Sequence, residues 1–71
     1  MFNRDKLRGK MVEKRCTAER MANLLGINPA TLYRKIGGDS EFTRREIQHI
    51  ATILELSMQE IRDIFFAEGL A

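Results

Sequence analysis

Segment 29–36 predicts a short helix whose outward face carries small, hydroxylic, aromatic and cationic side chains. Because consecutive residues of a helix lie about 100° apart, a helix with Leu32 and Ile36 turned inward presents its opposite face to solvent. The outward residues are Ala30, Thr31, Tyr33 and Arg34, with Asn28 at the helix start. Arginine can bind guanine through two hydrogen bonds, and methyl groups pack against the thymine methyl. We interpret this face as a candidate for base contacts in a DNA major groove, the alternative being an ordinary polar helix face.

Cationic side chains flank this segment on both sides and suit contact with phosphate. Arg44 and Arg45 begin a downstream helix, although the helix dipole favours acidic residues in a first turn. This placement indicates a nearby anion, whereas the alternative is that the two arginines only promote solubility. The predicted phosphate-binding residues are Lys14, Arg15, Thr17, Lys35, Arg44 and Arg45, with Lys35 at one edge of the exposed helix face.

The charge distribution agrees with a polyanionic partner. The 71 residues carry a net charge of +2, but residues 1–35 hold nine Lys/Arg against three Asp/Glu, a net charge of +6. Residues 36–71 hold three Lys/Arg against seven Asp/Glu, a net charge of −4. A basic half on an otherwise acidic domain predicts an oriented surface that faces a polyanion, whereas the alternative is scattered solvated charge.

Other chemistry finds little support in the sequence. His49 has no partner at catalytic spacing, so we expect an exposed helix residue without a chemical role. The single cysteine, Cys16, cannot form an internal disulfide, and we expect it to be a small buried residue, redox sensing being the alternative. We predict no enzyme, no cofactor and no metal site. The length predicts one domain over residues 1–71.

Explicit start and stop signals predict five helices. Thr43 with Glu46 and Ser57 with Glu60 each form a capping box, and Asn28 precedes Pro29 at a helix start. Thr17 gives a weaker cap, while Gly26 and the pair Gly37-Gly38 mark helix ends. The predicted helices span residues 4–14, 18–25, 29–36, 44–54 and 58–66.

The apolar residues of these helices predict one compact all-α core. The predicted core residues are Leu7, Met11, Met21, Ala22, Leu25, Leu32, Ile36, Ile47, Ile50, Ala51, Leu54, Met58, Ile61, Ile64 and Phe65, with Ile27 and Phe42 closing its seams. The segment 17–36 is then two short helices joined by a turn at Gly26, which is the layout of a helix-turn-helix.

The chain from Thr17 to Phe66 resembles the Cro and lambda-repressor-like (XRE-type) helix-turn-helix family of phage and mobile-element regulators. The matching segments are Thr17 to Ala22, Leu25 to Asn28, Thr31 to Lys35, and the pattern from Glu46 to Ile61. The resemblance implies a compact five-helix DNA-binding domain whose third helix contacts a double-stranded operator. It also implies a transcriptional repressor or regulator that acts as a homodimer.

Five positions depart from the family pattern. Ala18 stands where many members have glutamine, and Pro29 and Ala30 replace the leading glutamines of some recognition helices. Base contacts would then rest mainly on Thr31, Tyr33 and Arg34. Met11 and Ile36 occupy the positions of a buried Arg–Glu pair, so we predict that these two side chains touch, since such a pair can be exchanged for packing at little cost.

The end of the last helix predicts a contact surface. Phe65 and Phe66 are adjacent and cannot both face the same core, so Phe66 either stays exposed or folds back against helix one. An exposed Phe66 with Leu70 would form a homodimer patch. A protein-interaction module, antitoxin-like or an adaptor, is the alternative function. With no signal peptide and no apolar run of membrane-spanning length, we expect a cytoplasmic, nucleoid-associated protein.

Overall fold

Five α-helices form the fold in the computed structural model, which describes residues 2–66. The helices are α1 (Arg4–Glu13), α2 (Ala18–Leu25), α3 (Pro29–Gly37), α4 (Arg44–Leu54) and α5 (Met58–Phe65). No strand occurs among the described residues. The predicted all-α class and all five helices are confirmed, with ends within one residue of the expected positions.

Side-chain caps determine where the helices begin. Thr43 accepts a hydrogen bond from the Glu46 amide at 3.1 Å while the Glu46 carboxylate accepts one from the Thr43 amide at 2.8 Å. The capping box at Ser57 has the same two bonds with the same lengths. Each cap contributes about 1 kcal/mol. These bonds confirm that local sequence defines the starts of α4 and α5.

The core lies between all five helices and contains most of the apolar residues that the periodicity predicts. Its buried members are Leu7, Met11, Cys16, Met21, Ala22, Leu32, Ile36, Ile50, Leu54, Ile64 and Phe65. Leu25, Ile27, Phe42, Ile47 and Ile61 are partly buried and pack against these residues. Cys16 is buried as expected.

Three aromatic rings join the two ends of the described chain. Phe65 stacks on Phe2 with ring centroids 5.8 Å apart and meets the edge of Phe42 at 5.7 Å. The Asn3 amide also donates to the carbonyl of Ile64 at 2.6 Å. The start of α1 is thereby fixed against the end of α5.

One apolar residue of α5, and the residue that follows α5, stay outside the core. Met58 is 75% exposed, so its predicted core position is wrong. It is the first residue of α5 and lies at the rim of an open groove between α4 and α5, where no described element covers it. Phe66 is 53% exposed while Phe65 is buried, which agrees with the first of the two predicted alternatives.

Candidate nucleic-acid interface

The turn between α2 and α3 depends on a glycine. Gly26 has a φ of 74°, in the left-handed region that favours glycine. The amide of Ile27 donates to the Ala22 carbonyl at 3.0 Å. The Asn28 side chain then accepts from the Ala30 amide at 2.8 Å and starts α3. These bonds define the turn and the first residue of α3.

The outward face of α3 has the predicted orientation. Leu32 is fully buried, whereas Tyr33 is 54% exposed. Ala30 and Arg34 are exposed and Thr31 is half-buried. One Arg34 guanidinium nitrogen donates to the Thr31 hydroxyl at 3.4 Å, which is a long and weak hydrogen bond.

Asn28 has less capacity for base contact than its position suggests. Its side-chain oxygen caps α3 through the Ala30 amide. A two-pronged contact with adenine needs both the oxygen and the amide nitrogen of asparagine. Such a contact would therefore compete with the cap, and only the amide donors of Asn28 remain unoccupied by it.

Lys35 does not lie at the exposed edge predicted for it, so that position is wrong and the residue is poorly placed for the predicted phosphate contact. The residue is only 9% exposed. Its ammonium lies 3.1 Å from a Glu46 carboxylate oxygen and donates to the Glu41 carbonyl at 3.0 Å. The long lysine stem folds over the core and carries its charge to the start of α4 instead of toward solvent.

The predicted residues in the segment between α1 and α2 differ in their surroundings. The ammonium of Lys14 lies 3.0 Å from the carboxylate of Glu55, at the far end of α4 from Arg44 and Arg45. Arg15 has a φ of 55° and is exposed in the turn between α1 and α2. Thr17 caps α2 by accepting from the Arg20 amide at 3.1 Å. Their phosphate contacts stay predictions, and Lys14 would first have to leave Glu55.

Arg44 and Arg45 point to different parts of the surface. Arg45 lines a recess with Leu25 and His49, beside the end of α2. Arg44 instead lines the groove between α4 and α5. Both side chains are exposed at the start of α4. Of the two, Arg45 therefore lies nearer the α2–α3 unit.

Lysines and arginines fall into two classes that the sequence alone does not distinguish. All four lysines, Lys6, Lys10, Lys14 and Lys35, have carboxylate partners within 4.0 Å. Among the described residues, none of the eight arginines has such a partner. Arginine forms two parallel hydrogen bonds with phosphate oxygens and is always charged. On the described surface, the cationic groups without a carboxylate partner are therefore all guanidinium groups.

Arg4 and Arg8 were not among the predicted site residues. With Leu7 and Met11 buried, a spacing of about 100° per residue puts these two arginines on one flank of α1 and Lys6 and Lys10 on the other. Arg4 and Arg8 line a groove with Tyr33 of α3. Their spacing of four residues was the available signal, but nothing in the sequence states which flank meets α3.

Met11 and Ile36 line the same groove and both belong to the buried core. These positions are compatible with the predicted contact between them, which itself stays a prediction. Cys16 also borders this groove, and burial raises the pKa of its thiol, an effect that Arg20 partly offsets. A raised thiol pKa disfavours the reactive thiolate.

The groove between α4 and α5 is largely apolar. Phe42, Ile47, Ala51 and Ile61 contribute to its walls. The exposed side chains of Met58 and Phe66 stand at its edges. Leu70, the other residue predicted for a homodimer patch, lies outside the described residues.

Three further features of residues 2–66 bear on other kinds of function. No group of three or more His, Cys, Asp or Glu side chains in this part could hold a metal ion. No helix there is long and apolar enough to cross a membrane. His49 is exposed on α4, as expected.

Comparison with known proteins identifies a family. A sequence model of the family described as "Protein of unknown function (DUF739)" matches residues 1–68. No curated protein matches the chain, and no solved structure matches it either.

Proposed function

The chain belongs to the family described as protein of unknown function DUF739, and since that description assigns no activity, we propose from the chain's own surface that it binds duplex DNA and regulates transcription. Its resemblance to Cro and lambda-repressor-like regulators supports the same proposal. The observation that carries it is the exposed face of α3, where Tyr33 and Arg34 project beside Ala30 between two well-defined turns.

Base contacts in this proposal come from α3. Arg34 donates to guanine, and the methyl groups of Ala30 and Thr31 pack against thymine. Tyr33 is an exposed aromatic residue without a ring partner among residues 2–66, and it contacts a sugar, a base methyl or a phosphate. Asn28 adds a donor at the start of α3.

Phosphate contacts position the domain without reading sequence. Arg15, Arg44 and Arg45 supply guanidinium groups that no carboxylate within residues 2–66 neutralises. Thr17 adds a hydroxyl at the start of α2, where the helix dipole favours an anion. Lys14 contributes after release from Glu55, which is feasible because Glu55 is exposed and exposed ion pairs are weak.

We further propose that two copies bind together. An eight- or nine-residue helix contacts few base pairs, so a single domain would have low affinity for DNA. Phe66 stands next to an apolar groove of about 820 Å³, so each copy offers both a projecting ring and a recess. This pairing of ring and recess on one surface suits a two-fold interface. The two recognition helices would then occupy half-sites about 34–36 Å apart.

The test is selection of bound sequences from a random duplex library with the purified protein. A recovered palindrome supports both DNA binding and a homodimer. Binding of the recovered duplex is then measured by fluorescence anisotropy between 50 and 200 mM salt, where several phosphate contacts would make the affinity fall steeply. Recovery of no sequence, together with no salt-dependent retention of any duplex, would refute the proposal.

A protein-interaction module, antitoxin-like or an adaptor, is the second candidate. The apolar α4–α5 groove with its exposed Met58 and Phe66 favours it. This function predicts a stable complex with another protein that is insensitive to salt, because burial of apolar surface would dominate the interaction.

A further inference from the structure

We propose that the groove between α1 and α3 binds the phosphate backbone of one DNA strand, with Arg4 and Arg8 as phosphate-binding residues. The inference rests on the proposed function, because it concerns how the same duplex is held. It extends the contact surface from the helix-turn-helix segment to a flank of α1.

Three helices form this groove, which has a volume of about 410 Å³. Arg4 and Arg8 line one side, and Tyr33 with Gly37 of α3 lines the other. Thr17 and Ala18 place the start of α2 at the same groove, whose buried lining residues are Met11, Cys16 and Ile36. The groove therefore combines cationic side chains and the positive end of a helix dipole with an apolar buried lining.

The ion pairs of α1 show which of its flanks can accept a ligand. On the other flank, Lys6 lies 3.5 Å from Asp63 and Lys10 lies 2.9 Å from Glu60, both on α5. Neither Arg4 nor Arg8 lies within 4.0 Å of a carboxylate in residues 2–66. The lysines therefore dock α1 onto the domain, while the arginines keep their hydrogen-bond donors for an external acceptor.

A duplex backbone is the occupant that the geometry favours. Tyr33 lies both in the groove and on the outward face of α3. A duplex whose major groove receives α3 would bring its backbone past this side of the helix, over the adjoining recess. Arg4 and Arg8 are about 6 Å apart along α1, since four residues of a helix rise about 1.5 Å each. Two guanidinium groups at that spacing form a short cationic row along a strand.

The test compares the salt dependence of binding among variants of the full chain. The duplex is the one recovered by selection, and the wild type sets the reference slope of log affinity against log salt. Arg4→Ala and Arg8→Ala should each reduce this slope by about 0.9, the value for one phosphate contact on B-DNA. Arg62→Ala is the matched control, because Arg62 is also exposed and has no carboxylate partner in the described part, but lies on α5.

Two further measurements separate binding from folding. Arg4→Lys and Arg8→Lys keep the charge and should restore most of the slope. Thermal unfolding of all variants should match the wild type, because exposed substitutions change stability by less than about 0.5 kcal/mol.

The outcomes are distinct. If the wild type shows a steep slope and both alanine variants keep it, the duplex does not use the α1–α3 groove and the inference is wrong, while the proposed function stands. If Arg62→Ala lowers the slope as much as Arg4→Ala, the effect is general charge and the groove assignment also fails. If the wild type retains no duplex, the proposed function fails and the inference fails with it.

Discussion

The Lys35 ammonium lies 3.1 Å from the Glu46 carboxylate, and both side chains are largely buried. Lys35 also donates to the Glu41 carbonyl, and Glu46 accepts from the Thr43 amide. The pair thus ties the last turn of α3 to the loop that follows it and to the capping box of α4. Burial raises the pKa of Glu46, but the Thr43 amide and Lys35 together outweigh it, so the pKa of this carboxyl is lowered.

Breaking this pair from one side should cost stability. Lys35→Met keeps the apolar stem but leaves the Glu46 charge without its partner, and we expect a loss of about 1–3 kcal/mol, below the range for fully buried pairs. The free energy of unfolding is measured by urea titration. The double variant Lys35→Met/Glu46→Gln should lose less than the sum of the two single variants, since no charge is then left unpaired. Strict additivity would contradict a coupled pair.

Arg34→Ala should weaken binding to the selected duplex by about 1–3 kcal/mol and relax specificity at one base pair. Titration against duplexes substituted one base pair at a time gives both effects. Arg62→Ala removes the same charge on α5 and should leave specificity intact. Equal binding of the selected duplex by Arg34→Ala and the wild type would refute the base contact.

Arg45→Ala and Arg44→Ala should weaken binding to all duplexes alike, and each should reduce the salt slope by about 0.9. Their different positions make the comparison informative, because Arg45 borders α2 while Arg44 lines the α4–α5 groove. If only Arg45→Ala reduces the salt slope, Arg44 belongs to that groove and does not contact phosphate.

Replacing the exposed apolar side chains of α5 and the residue after it should abolish the proposed dimer. The double variant Met58→Ser/Phe66→Ser removes apolar surface at residues that are 75% and 53% exposed. We expect monomers in sedimentation equilibrium at concentrations where the wild type is dimeric. Leu24→Ser is the control, since Leu24 is 45% exposed on α2 and outside that groove. A wild type that stays monomeric when bound to a palindromic duplex would contradict the dimer.

Stability should fall in acid because of Glu60. The hydrogen bond from Lys10, followed by that from the Ser57 amide, lowers the pKa of Glu60 from 4.5 to about 2. A lowered folded-state pKa gives stability that is complete above the unfolded value and is lost as pH falls through the folded value. The midpoint of urea unfolding should therefore decrease between pH 4.5 and 2, and less so in Glu60→Gln. An identical pH dependence in Glu60→Gln would show that other carboxyl groups cause the decrease.

Helix positions were predictable from the sequence because the signals for them are local. The Thr43 and Ser57 boxes involve residues three positions apart, and Gly26 needs only its own left-handed conformation to end α2. The inward phase of α3 was equally predictable, since Leu32 and Ile36 set it by spacing alone. The exposed positions of Ala30, Tyr33 and Arg34 follow from that phase.

Partnerships between charges were decided only by tertiary structure. Lys6, Lys10 and Lys14 find carboxylates that lie 57, 50 and 41 residues away in sequence. Lys35 lies away from the exposed face because its flexible side chain reaches Glu46. Helix periodicity does not determine where such a long side chain ends. Residue spacing on α1 likewise does not determine that one of its flanks packs against α5 while the other faces α3. The sequence thus determined five helices and the outward face of α3, whereas packing determined which cations remain available to bind phosphate. The reason is that ion pairing depends on distances between side chains that only the folded chain brings together.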